Sequence, residues 1–214
     1  ALIAKCGTWA DQYAYVATGQ TITADKLAAL HKDDQKNLKE NEELKGWNTK
    51  KDGSGDMVTA ETVVSEEMTV YPVIGEKAEE IHITAKVNGG ESLGGETLAK
   101  VVEKANTTAE GVTSLVIESG KVTQDDLATL KSMTRLTNLE MNLDGDLELI
   151  GAEGTATTVL PAELFIKSSL ETVSLAGFTE IGESAFKDTK YLESVTIPNV
   201  TVIGAGAFAN TARS

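Results

Sequence analysis

The residues able to do chemistry in this chain are few and scattered. Two histidines, His31 and His82, and a single cysteine, Cys6, supply its neutral-range titration and its soft metal-ligand capacity. A zinc site would need these joined by further ligands on one scaffold. Nothing in their spacing does that, so no metal is expected. His31 falls at a polar helix end, and His82 alternates with Ile81 and Ile83, which points it away from a core. A Ser-His-Asp site is a spatial arrangement that sequence leaves open, but no nucleophile elbow or cysteine-protease motif marks one. The glycine-rich run from Asn88 to Gly95 lacks the lysine of a phosphate-binding loop. Asp52-x-Ser54-x-Asp56 has part of a calcium-loop pattern without the bidentate glutamate that closes it, and reads as a turn. Asp144 and Asp146 form one carboxylate pair among many. The expectation is a non-catalytic chain with no cofactor.

The bulk numbers narrow the partners. The chain has 214 residues, 33 acidic against 19 basic, for a net charge of −14. Nucleic-acid affinity comes largely from cations neutralising phosphates, so a polyanion would be repelled, as would an anionic membrane surface. The simplest role of the charge is a solubilising surface. No apolar run approaches the ~18 residues of a membrane span, so no membrane insertion is expected. With one cysteine, an intramolecular disulfide is impossible. Leu2-Ile3-Ala4-Lys5-Cys6 has the outline of a lipoprotein cleavage site, but Lys5 stands where a small residue is needed and no long apolar stretch precedes it. No targeting segment is visible, so any leader is removed or lies outside this chain.

The elements that must position a site are set by repetition. Val112-Leu115-Ile117, Leu136-Leu139-Met141, Leu170-Val173-Leu175 and Leu192-Val195-Ile197 share one apolar spacing. Ile181-Gly182-Glu183-Ser184-Ala185-Phe186 recurs as Ile203-Gly204-Ala205-Gly206-Ala207-Phe208, again 22 residues later. A fixed period of this size marks a solenoid. Alternate strand residues share a face, so Val173, Leu175, Val195 and Ile197 point inward. Phe186 and Phe208 should stack, and Gly182 and Gly204 suit a bend with positive φ. Helices are expected at 23–31, at 97–105 and after a Thr123 cap, with Leu127, Leu130 and Met133 inward. Asn142 to Thr158, rich in Gly, Asp and Thr, reads as a loop bulging from one edge, and Leu160 to Phe165 as a degenerate copy of the Ile-Gly-x-x-Ala-Phe phrase.

The phrase Ile181-Gly182-x-x-Ala185-Phe186-x-x-Thr189-x-x-Leu192-x-x-Val195-x-Ile197-Pro198, with its sequel Val200-Thr201-x-Ile203-Gly204-x-x-Ala207-Phe208-x-x-Thr211, resembles the BspA-like leucine-rich repeats of bacterial surface proteins. Members often carry cysteine where Thr189 and Thr211 stand; threonine keeps the size and bonds backbone groups. The resemblance implies a secreted or surface-anchored protein that adheres to host matrix, other bacteria or glycans. Gly46-Trp47, Asp52-Gly53-Ser54-Gly55 and Met68-Thr69-Val70-Tyr71 resemble the Listeria–Bacteroides repeat, a small β-grasp-like module, with a departure at Val70-Tyr71-Pro72. Trp47 then reads as a core anchor, with sugar stacking as its functional alternative. Residues 3–15 resemble the tail that often closes such arrays, and the last coil stops at Ser214, which together suggest an excerpt of a longer repeat protein.

The fold class expected is α+β: a small β-grasp-like module over 1–75, then a leucine-rich-repeat solenoid with helical leading coils over 76–214. The outward strand residues Asn138, Glu140, Thr172, Ser174, Ser194 and Thr196 are the candidate binding surface, a small polar ladder for an extended protein or glycan. It lacks the Trp, Tyr and Arg of strong hot spots. A structural spacer and an accessory domain of a secreted hydrolase are the alternatives.

Overall fold

In a computed structural model, the structure describes residues 2–4, 12–30, 38–143 and 145–211. Cys6, His31, Asp144, most of the proposed array tail and the last three residues lie outside them. The chain falls into two compact units, 1–78 and 79–214.

The first unit is built on a five-stranded sheet. Its elements are β1 (Leu2–Ala4), β2 (Gln12–Ala14), β3 (Gln20–Thr21), α1 (Ala24–Ala29), β4 (Glu42–Asn48), β5 (Met57–Val58), β6 (Val63–Val64) and β7 (Met68–Glu76). The order is β2-β1-β7-β4-β5, with β1 and β7 parallel; β3 and β6 pair separately. Thr23 caps α1, its Oγ1 accepting the Lys26 amide at 3.4 Å. Leu27 and Leu30 lie on one face of the helix and pack in a cluster with Ile22, Trp47, Val64 and Val70. Trp47 is 2% exposed. It is the core anchor of this unit, and its ring is closed to a sugar.

The turn between β4 and β5 is held by Asn48, itself buried. Asn48 Oδ1 accepts the amides of Lys50 and Gly55 at 2.9 and 3.1 Å, while its Nδ2 donates to the Gly55 carbonyl at 2.9 Å. Asp52 Oδ1 accepts both the amide and the hydroxyl of Ser54, at 3.0 and 2.8 Å. Those two bonds favour the charged form and hold the Asp52 carboxyl below its ordinary value. The calcium-like run is thus a turn with its carboxylate turned onto its own backbone.

The second unit contains β8 (Ile83–Val87), β9 (Ser92–Gly95), α2 (Leu98–Lys104), β10 (Ser114–Val122), α3 (Gln124–Ser132), β11 (Asn138–Met141), β12 (Leu147–Ile150), β13 (Ala156–Thr157), β14 (Val159–Leu160), β15 (Thr172–Ser174), β16 (Glu180–Ile181), β17 (Ser194–Thr196) and β18 (Val202–Ile203). Strands β10, β11, β15 and β17 form one parallel series, and β14, β16 and β18 a second. The apolar residues of the first series point inward, from Leu115 and Ile117 through Leu139 and Met141 to Val173 and Leu175. This is a mostly β solenoid of about four turns.

Thr97 and Thr123 cap α2 and α3. Asp126, 2% exposed, joins the two helix ends. Its Oδ1 accepts the Leu98 amide at 2.7 Å, and its Oδ2 accepts the Thr123 amide and hydroxyl at 2.9 and 3.0 Å. A helix start leaves orphan N–H groups, and one buried carboxylate satisfies donors from both.

The coil-closing segments differ from the expectation for Gly182 and Gly204. Neither has a positive φ; the left-handed positions are Glu163, Lys167, Ser184, Asp188, Gly206 and Asn210. The Gly182–Ala185, Phe186–Thr189 and Gly204–Ala207 amide-to-carbonyl bonds close turns whose third residue is left-handed, which is the type II pattern. Glycine stands at 182 and 204 because the coils touch there. A Cβ on Gly182 would meet the Ala162 nitrogen at 2.5 Å, and one on Gly204 the Glu183 nitrogen at 2.5 Å. The amides of Glu163, Phe165 and Lys167 bond the carbonyls of Glu183, Ala185 and Lys187, and those of Ser184, Phe186 and Asp188 bond Ala205, Ala207 and Ala209.

Phe186 stacks between two rings, on Phe165 at 5.4 Å and on Phe208 at 5.3 Å. The expected pair is present, and the degenerate phrase ending in Phe165 supplies its third member. Thr189 is fully buried and donates to the Phe165 carbonyl at 2.8 Å; Thr211 donates to Phe208 at 2.8 Å.

The segment expected as a loop, Asn142 to Thr158, contains β12 and β13. Leu147 and Leu149 are buried, and β12 pairs parallel with the C-terminal end of β10, so β11 and β12 lie one after the other along that strand. Composition hid the strand: its Gly and Asp flank a short Leu-Glu-Leu alternation.

Candidate functional site

All six outward residues lie on neighbouring parallel strands, in register. Asn138, Thr172 and Ser194 form one row, and Glu140, Ser174 and Thr196 the next. Neighbouring strands sit ~4.8 Å apart and same-face residues along a strand ~7 Å, so the six form a flat polar lattice. The alternation that sends Val173 into the core sends Thr172 and Ser174 out. Asn138, Glu140, Thr172, Ser194 and Thr196 are exposed and Ser174 half-buried.

The lattice is partly spent on itself. Asn142 donates to Glu140 Oε1 at 2.9 Å, and its Oδ1 accepts the Ser174 hydroxyl at 3.0 Å and the Ala176 amide at 2.8 Å. Asn138 donates to Thr137 Oγ1 at 3.0 Å. The hydroxyls of Thr172, Ser194 and Thr196 have no side-chain partner among the described residues. Asn142 was not singled out from the sequence; its signal is an Asn directly after the apolar phrase ending at Met141.

The second row continues beyond the six. Val116 pairs with both Glu140 and Lys86, and Lys86 with Ser92. Lys86 Nζ lies 2.7 Å from Glu118 Oε1, and the Ser92 hydroxyl donates to the other Glu118 oxygen. The Lys86 bond, then that of Ser92, holds the Glu118 carboxyl below its ordinary value; Glu118, with the nearby Glu140 charge, raises Lys86. The face therefore grades from an ion pair on β8 to hydroxyls on β17.

His82 Nε2 is 3.1 Å from Glu80 Oε2 in the exposed stretch just before β8. Although no nucleophile elbow is expected, Gly90-Glu91-Ser92-Leu93-Gly94 has the letters of one. Ser92 opens β9, the second strand of an antiparallel hairpin, and not a strand-to-helix turn. Among the described residues, no group of three or more His, Cys, Asp or Glu side chains is placed to hold a metal, and no helix is long and apolar enough to cross a membrane. Chemically, the arrangement offers hydrogen bonds at strand spacing.

No curated protein and no solved structure matches the chain. A family model described as a BspA type leucine rich repeat region (6 copies) matches residues 154–214, less than a third of the chain. The stacked phenylalanines, the buried threonine and the coil-to-coil glycines all fall inside that span, so the stretch that is similar to BspA-type leucine-rich repeats is the turn-closed part of the solenoid.

Proposed function

We propose that this chain is a non-catalytic binding module of a bacterial cell-surface or secreted protein, presenting its repeat sheet to a protein or glycan. The observation that carries the reading is the match of residues 154–214 to BspA-type repeats, a class typical of bacterial surfaces. The register of Asn138, Glu140, Thr172, Ser174, Ser194 and Thr196 supports the location of the surface. The helix-bearing segment β10–α3–β11 reads as the leading part of the same array, since its strands continue the parallel series. The first unit reads as a β-grasp-like module. Support comes from its strand order, its leading hairpin, the helix before β4 and the parallel central pair β1/β7.

The test is binding of the whole chain to arrays of glycans and of host-matrix and bacterial surface proteins. Saturable binding weakened by Thr172→Lys and Thr196→Lys together supports the reading; binding untouched by both moves the surface elsewhere. One feature favours a spacer: half of the lattice is bonded internally through Asn142 and Thr137. A clean absence of binding across the arrays selects that role.

A further inference from the structure

Aromatic rings are scarce in this chain and mostly spent on its cores. It has two Trp, four Tyr and four Phe. Trp47, Phe165, Phe178 and Phe186 are buried. Among the described residues the exposed rings are Tyr13, Tyr15 and Tyr191, and two of these stand two positions apart. Tyr13 is 54% exposed and Tyr15 74%. Strand alternation sets this: Ala14 and Val16 turn into the core of the first unit, and the two tyrosines turn out. Among the described residues neither ring stacks on another, and neither hydroxyl has a protein partner.

The two rings border a cleft of about 330 Å³ between β2 and α1, walled otherwise by Lys26, Ala29 and Leu30. Small-molecule sites run from ~300 to ~1,000 Å³. Tyr13, Tyr15, Lys26 and Ala29 are exposed, so the cleft opens along its rings, and the buried Leu30 is its floor. Lys26 Nζ donates to the Tyr15 carbonyl. That bond ties the helix to the strand and commits the lysine to the wall by its apolar stem.

The lining selects the ligand's chemistry. No carboxylate lines the cleft, and its one ammonium is already bonded to a carbonyl. A charged ligand would lose hydration there without gaining a partner, which leaves a neutral one. Strand addition by a peptide is the competing use, since β2 is the outer strand of its sheet. It is disfavoured because β2 is three residues long and the next carbonyl, that of Tyr15, is taken. A sugar ring meets the remaining terms: its C–H face packs on an aromatic face, and its hydroxyls bond the phenol groups at the wet rim.

We propose that the cleft between β2 and α1 binds a neutral saccharide, its pyranose rings stacked on Tyr13 and Tyr15. The site belongs to the first unit, is separate from the polar lattice and does not depend on the reading given to that lattice. The experiment is a fluorine-NMR titration of the whole chain labelled with 3-fluorotyrosine, whose four tyrosines give separate signals. The probes are cellotetraose, xylotetraose, maltotetraose and N-acetylchitotetraose, with a proline-rich decapeptide as the rival. At least one saccharide should shift Tyr13 and Tyr15 saturably and leave Tyr71 and Tyr191 in place. Tyr13→Ala and Tyr15→Ala, both at exposed positions that folding tolerates, should each weaken binding about tenfold, the effect of one lost stacking contact. Tyr13→Phe and Tyr15→Phe keep the ring and should lose less. The double variant Thr172→Lys with Thr196→Lys should leave the titration unchanged, which keeps this site distinct from the lattice. Absence of saturable shifts with all four saccharides, shifts with the decapeptide alone, affinity that survives both alanine variants, or a response lost in the lattice variant each overturns the proposal.

Discussion

The helix-bearing segment and the turn-closed coils return the chain to one parallel sheet by different means. Between β10 and β11 the path is α3, which satisfies most of its own backbone and needs help only at its start, where Thr123 and Asp126 supply it. In the coils of Phe165, Phe186 and Phe208 the path is a run of turns, and the amides of the first two bond the carbonyls of the next coil. A helix is locally self-sufficient; a turn ladder exists only when its neighbour does. The first should respond to damage locally, and the second along the array, as nearest-neighbour coupling requires.

The largest expected break in that contrast is Phe186→Ala. It removes the middle ring of three and should cost about 3–5 kcal/mol, read as a fall in denaturant midpoint with loss of amide protection in both flanking coils. Loss of protection confined to one coil would show the turn ladder to be less coupled than stated. Asp126→Ala comes next, at roughly 3 kcal/mol, because the Leu98 and Thr123 amides lose a buried acceptor. Its hydrogen-exchange effect should stay in α2 and α3.

Two glycines sharpen the comparison further. Gly182→Ala puts a methyl against backbone of the adjoining coil and should destabilise by about 2 kcal/mol or more. Gly206→Ala meets no close atom and carries only the left-handed penalty, about 1 kcal/mol. A reversed order of the two melting temperatures would contradict the close-approach account. Thr189→Val, which keeps the shape and deletes the bond to the Phe165 carbonyl, should lose about 1 kcal/mol, with Thr189→Ser closer to wild type.

The smallest effect is electrostatic. Glu118 is depressed in the folded state by Lys86 and Ser92. Its contribution is present above the unfolded carboxylate value near ~4.3 and lost as pH falls through the lower folded one. Glu118→Gln should therefore lower stability slightly at neutral pH and flatten the acid limb below about pH 4, so that the two proteins converge in acid. An unaltered acid limb would show the pair to be fully screened.

Periodicity made the parallel strands, the inward residues and the Phe186–Phe208 stack legible, because each reports a spacing that only one face of a strand or coil can use. The caps at Thr23 and Thr123 were readable for the same reason: a hydroxyl before an apolar helical run has a local partner. Alternation alone also placed Thr172, Ser174, Ser194 and Thr196 on the outer face.

What the chain's order of residues left undetermined was everything that depends on a neighbour distant in sequence. Which glycines bend and which permit contact was decided by coil-to-coil distance, so Gly182 has ordinary φ and Ser184 does not. The strand at Leu147 exists because the far end of β10 had an open edge to pair. Asn142 became a bridge because the next coil set Ser174 and Ala176 within its reach. Local spacing encodes which face a residue uses; packing decides what that face meets.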